Sequence, residues 1–142
     1  WLQDAWQDPG GDLEAYRQRA GYERGVSGFI VHTVPAAVYC ARHHPEPRDA
    51  ITSAIRLGGD TDTTAAIAGA LVGARVGARG LPRDWLDGIV DWPLSTQRLR
   101  ALADALADGG PIPGQRWCAA LPRNLGLVVV IAGHLVLRLL RR

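Results

Sequence analysis

Residues 58–70 read Gly58-Gly59-Asp60-Thr61-Asp62-Thr63-Thr64-Ala65-Ala66-Ile67-Ala68-Gly69-Ala70: a glycine pair, four polar residues, then a run of small, mostly apolar ones. The glycines permit a sharp backbone turn. Asp and Thr suit the start of a helix, where carboxylates also complement the positive end of the helix dipole. Small residues continue from Thr64 to Ala78, so the stretch predicts a turn that opens a helix. Two readings of the polar cluster stand open. Asp and Thr are ordinary capping residues and satisfy orphan N–H groups without any metal. Two carboxylates two residues apart, with a hydroxyl beside the second, are also hard oxygen donors suited to Mg²⁺ or Mn²⁺. One cap does not require four polar residues in succession behind two glycines.

Helical spacing recurs on both sides of this segment, and strict two-residue alternation is scarce. Leu13–Ala20 predicts a short helix. Ile30, Val31, Val34, Ala37, Val38 and Ala41 mark a longer one that ends at Pro45 and Pro47. Pro35 places its start near Thr33, because proline is tolerated in a first turn. Residues 48–57 predict the next helix, with Ala50, Ile51, Ala54 and Ile55 on one face. Gly69, Gly73 and Gly77 fall four apart, so another backbone or a ligand is expected to approach that stripe closely, and Gly80 is expected to end the helix. Leu81-Pro82 restarts a short helix carrying Trp85, Leu86 and Ile89, and residues 94–107 form another through Leu99, Leu102 and Leu106. The expected fold class is all-α. Residues 1–108 would form helical domain structure, 109–123 a Pro/Gly-rich loop, and 124–142 a very apolar last helix.

Composition narrows the function classes. The 142 residues suffice for one domain's core, and 47% hydrophobic content excludes a disordered tail. A net charge of +2 is too small to advertise nucleic acid, and Trp1, Trp6, Trp85, Trp92 and Trp117 do not alternate with a basic stripe, so no nucleic-acid partner is expected. All 16 basic residues are arginine, which excludes Schiff-base and phosphate-loop lysines. Cys40 and Cys118 make neither a disulfide scaffold nor a zinc motif, and with no apolar leader they point to a cytoplasmic setting. Cys40 is expected in the core, His43-His44 at the surface end of a helix, and His32 in a hydrogen bond within the fold. A start at Trp1, without methionine, is expected of a processed chain or of part of a longer one. The last apolar run, Leu125 to Leu140, has 16 residues. A membrane span needs about 20, so packing on the domain is expected, with Arg138, Arg141 and Arg142 at the helix C-terminus, and a membrane is not.

The 58–70 segment closely resembles the C-terminal signature of the ADP-ribosylglycohydrolase family. The match extends upstream through Gly25-Val26-Ser27-Gly28-Phe29-Ile30-Val31-His32-Thr33-Val34-Pro35-Ala36-Ala37 and downstream to Leu81-Pro82-Arg83-Asp84-Trp85-Leu86, so residues 21–89 follow a multi-part pattern in order. The resemblance implies the C-terminal part of an all-α ADP-ribosylglycohydrolase-like domain with a binuclear Mg²⁺ or Mn²⁺ centre. It implies a hydrolase that cleaves the bond between ADP-ribose and a protein side chain or small-molecule acceptor. The partner would then be an ADP-ribosylated protein or a small ADP-ribosyl conjugate.

By position, the resemblance implies Asp60, Asp62 and Thr63 as metal ligands and Gly28 and Phe29 beside the substrate. Phe29 stands where some relatives carry a tyrosine near adenine; core packing is its other reading. In the family, Gly-Asp and Thr-Asp-Asp segments from the preceding half complete the metal site. This sequence has no Asp-Asp dipeptide, so the chain is expected to be a fragment holding one side of a two-sided site. Two alternatives remain: a non-catalytic truncated or structural member of the family, and a membrane-associated interaction module built on the last helix. The sequence does not set the acceptor residue.

Overall fold

The computed structural model describes residues 2–10, 12–89, 95–114 and 117–140, with 117–120 described by backbone only. Trp1, Trp92, Leu94, Arg141 and Arg142, and the side chains of Trp117 and Cys118, lie outside the described residues. The elements are α1 (Leu2–Gln7), α2 (Leu13–Arg19), α3 (Ile30–His43), α4 (Pro47–Arg56), α5 (Thr61–Val76), a 3₁₀ turn (Ala78–Gly80), α6 (Arg83–Gly88), α7 (Thr96–Asp108) and α8 (Trp117–Leu140). No strand occurs among the described residues, so the fold is all-α as expected. The chain divides into two compact units, Trp1–Arg83 and Asp84–Arg142.

In the first unit α3 is the central element and packs on α1, α4 and α5, while α4 also packs on α5. Alanine makes these approaches close: Ala36, Ala37, Ala50, Ala54 and Ala68 are buried together with Leu57, Val26 and Cys40. Cys40 is a core residue as expected, and burial pushes its thiol up to about 12. Tyr16 stacks on Tyr39 with centroids 3.6 Å apart and meets Tyr22 edge-on at 6.0 Å. The Tyr22 hydroxyl donates to the His32 carbonyl at 3.1 Å, so the cluster also fixes the start of α3.

Several boundaries differ from the sequence expectation, each for a local reason. Helix α3 begins at Ile30 with Phe29 as its cap, so Pro35 lies inside the helix. Thr33 is not the cap. Its buried hydroxyl donates to the Phe29 carbonyl at 3.1 Å and to the Ser27 carbonyl at 3.0 Å, which ties the preceding loop to the helix. Helix α5 ends at Gly77 and not Gly80, because Gly77 takes φ +69°. The glycine stripe therefore has no single cause. A side chain on Gly69 would meet Ile51, one on Gly73 would touch only Leu81, and one on Gly77 would meet nothing within 4 Å. Among the described residues no backbone lies against that stripe; Gly77 is set by its φ and Gly69 by the Ile51 side chain.

His43 ends α3, as expected, and is half-buried: it tilts against Tyr39 with centroids 4.6 Å apart, and its Nε2 is buried without a hydrogen-bond partner among the described residues. Burial holds its pKa below the ordinary value. An unfolded histidine takes its proton near pH 6.5, whereas the folded one takes it lower, so between the two the unfolded chain binds more protons. Stability is thus expected to fall as the pH drops from about 7.5 to 5.5, and His43→Asn should flatten that slope. Urea midpoints measured across the range check this; equal slopes in the two proteins would remove His43 as the cause.

The second unit buries little. Helices α6 and α7 have no buried residue, and Leu99 and Leu106 are exposed. Gly109 caps α7 in the left-handed conformation, and Arg98 donates to the Pro113 carbonyl at 3.2 Å. Helix α8 starts seven residues before the expected Asn124 and runs through Pro122. The missing proline N–H costs that helix one bond near its start. Its apolar side chains from Leu121 to Leu140 are exposed.

Candidate metal centre

Two loops from distant parts of the first unit form the site. Val26 is buried, its N–H donates to the Gly58 carbonyl at 3.0 Å, and its carbonyl accepts from the Asp60 N–H at 2.7 Å. Val26 and Gly59 thereby make an isolated parallel bridge. Such an approach of two backbones requires glycine. Gly25, Gly58 and Gly59 have φ of +88°, +75° and +75°, and a Cβ on Gly25 or Gly59 would collide with the opposite backbone. The bridge fixes where α5 begins.

Asp60 is the cap residue of α5, with ψ +69°, yet its side chain makes no capping hydrogen bond. Its backbone carbonyl is held instead, by the Thr64 N–H at 3.1 Å and the buried Thr64 hydroxyl at 2.7 Å. The capping reading left open by the sequence therefore fails for the Asp60 carboxylate. That carboxylate lies over Gly28, where a Cβ would stand 2.7 Å from Oδ2. It also reaches Asp62. Two positions apart within a helix, side chains diverge by about 200°, but the cap residue is outside the helix and its side chain swings across. A hydrogen bond with Asp60, then the backbone N–H groups of Thr63 and Asp62, hold the Asp62 carboxyl below the usual carboxylate range.

The structure thus brings together Asp60, Asp62 and Gly28 of the expected site residues. Thr63 is exposed in the same first turn of α5. Phe29 is 70% exposed, which excludes its core-packing reading and leaves its ring open beside the Gly28 turn. His32 is exposed and shares a hydrogen bond of 2.8 Å with Ser27, as expected of a positioning contact. Sequence reasoning missed Val26, Thr33 and Thr64 as the residues that fasten the two loops. The only sign of Val26 was one apolar side chain among Gly25, Ser27 and Gly28.

The donor set fits part of a divalent-metal shell. Two neighbouring carboxyl groups, of which Asp60 caps nothing, are hard donors, and a small divalent cation holds such a pair without a shared proton. Among the described residues no group of three or more His, Cys, Asp or Glu gathers to hold a metal, so Asp60 and Asp62 leave most of an octahedral shell to other donors. A cleft of about 660 Å³ beside α1, α2 and α3 includes Tyr22 and His32 in its wall but neither Asp60 nor Asp62. Its Asp8 is already engaged by Arg19 at 2.7 Å.

Comparison with known proteins identifies a family and several relatives. The family model described as ADP-ribosylglycohydrolase matches residues 1–115. The ADP-ribosylarginine hydrolase Tri1 of Pseudomonas putida is 34% identical over 96 residues, which cover 68% of this chain and 25% of the relative. Tri1 of Serratia proteamaculans is 33% identical over 91 residues, 64% of this chain and 24% of its own length. The human ADP-ribosylhydrolase ARH3 is 40% identical over 72 residues, 43% of this chain and 19% of its own. The chain spans about a quarter or less of the curated relatives it matches. No solved structure matches it significantly.

Proposed function

Because the chain belongs to the ADP-ribosylglycohydrolase family, we propose that it serves the metal-dependent hydrolysis of the bond between ADP-ribose and an acceptor side chain or small molecule. The observation that carries this reading is the Asp60–Asp62 pair, brought together at the start of α5 with the Asp60 carboxylate not spent on capping. Asp60 and Asp62 would hold a Mg²⁺ or Mn²⁺ ion, with the Thr63 hydroxyl as a third donor from this chain. A bound ion supplies a Lewis acid that orients ribose hydroxyls and activates water. Gly28 leaves the space over Asp60 free of a side chain, and the exposed Phe29 ring offers a stacking surface for a purine base.

Two of the relatives are named ADP-ribosylarginine hydrolase, so an arginine-linked conjugate is the first substrate to try. The full-length protein is expected to release ADP-ribose from such a peptide, to stop when the divalent metal is chelated, and to resume on adding Mg²⁺ or Mn²⁺. A rate indifferent to chelation would sink the metal assignment. The second reading, a non-catalytic member of the family, draws on the two-carboxylate limit of the described residues. It requires ADP-ribose binding without release under the same conditions.

A further inference from the structure

Helix α8 is the last of the described elements. It begins at Trp117, just beyond the family match that ends at residue 115, and a segment rich in glycine and proline, 109–114, precedes it. Its 24 residues extend about 36 Å, and a bilayer's hydrocarbon core is about 30 Å thick. The stretch Leu121–Leu140 has a mean hydropathy of 1.6 and none of it is buried. We propose that α8 is a membrane-spanning helix that tethers the domain to a lipid bilayer.

The arrangement of its side chains favours a bilayer over a protein groove. Val128, Val129, Val130 and Ile131 are consecutive and all more than half exposed. At about 100° per residue they face every side of the helix, whereas a groove-bound or interfacial helix keeps a polar face. Charge sits at the ends. Arg123 and Arg138 bracket the apolar centre in sequence, and the long, exposed Arg138 side chain is able to extend toward the headgroups. From residue 109 to residue 142 there are five arginines (116, 123, 138, 141 and 142) and no acidic residue, a pattern complementary to anionic lipid. The sequence expectation rested on 16 apolar residues; the helix that carries them continues through Pro122 to 24 residues, so that the 20 from Leu121 to Leu140 reach spanning length. This inference is independent of the hydrolytic reading, since it uses no residue of the carboxylate site.

Cell-free synthesis of the full chain with phosphatidylcholine–phosphatidylglycerol vesicles tests it. The chain is expected to float with the vesicles and to stay there through high-salt and alkaline carbonate washes. Val130→Arg places a charge at the helix centre and should lower the bound fraction about a hundredfold. Near-ultraviolet circular dichroism of the tyrosine cluster should be unchanged in that variant, which separates lost insertion from lost folding. Three results overturn the proposal: no flotation, release by salt or carbonate, or binding by Val130→Arg equal to that of the unaltered chain. A lipid-independent oligomer that shields α8 from protease would overturn it as well, by showing a second copy as the occupant.

Discussion

Replacing Gly59 with alanine is expected to lower the stability of the first unit by about 3 kcal/mol or more. Two costs combine. At φ +75° an L-residue carries a penalty of roughly 1–2 kcal/mol. The new Cβ would also press on the backbone of Val26, which has no rotamer to yield. Relief requires the loops to separate, with loss of the Val26-to-Gly58 and Asp60-to-Val26 hydrogen bonds. Each such bond contributes about 1 kcal/mol net. Gly77 supplies the control, since it has φ +69° but nothing within 4 Å of an added Cβ. Gly77→Ala should therefore show the backbone penalty alone. Urea denaturation measures both variants, and a loss at Gly59 of no more than about 1–2 kcal/mol would mean that the close approach contributes nothing.

Asp60→Asn and Asp62→Asn are expected to separate activity from stability. In the full-length protein each should reduce metal-dependent ADP-ribose release by about a hundredfold or more, since a carboxylate ligand is replaced by a neutral amide. The unfolding midpoint should hardly move. The Asp60 side chain caps nothing, its backbone bonds survive the change, and Asp62 is exposed. Raising the metal concentration should recover part of the loss if affinity is what fell. Unaltered release by either variant would remove that residue from the ligand set, whereas a large drop in the unfolding midpoint would reassign it to holding the loop.

Much of this was legible in the sequence because it depends on neighbours along the chain. Helical spacing located α2 to α5 and α7 to within a few residues, and the Asp60–Thr63 cluster stood out by residue type. What escaped depends on partners far away. Nothing near Val26 says that it meets Gly59, 33 residues later, so the roles of Gly25, Thr33 and Thr64 were hidden. Capping and metal binding use the same side chains, and only the direction of the Asp60 carboxylate separates them. Glycine is ambiguous in the same way. Gly77 marks a backbone angle, Gly69 a nearby isoleucine, and Gly59 an approaching backbone. The buried Nε2 of His43 rests on Tyr39, one turn earlier, and on Gly10, a long-range neighbour that a helix-end position does not reveal.

Paramagnetic broadening by Mn²⁺, followed amide by amide in the ¹⁵N-labelled chain, tests the carboxylate pair most directly, because it detects even the weak binding of a partial shell. The amides of Gly28, Asp60, Thr61, Asp62 and Thr63 are expected to broaden first, and Asp60→Asn with Asp62→Asn should abolish that preference. Broadening spread evenly over the chain's other carboxylates, or unchanged in the double variant, would contradict a divalent-metal site at the start of α5.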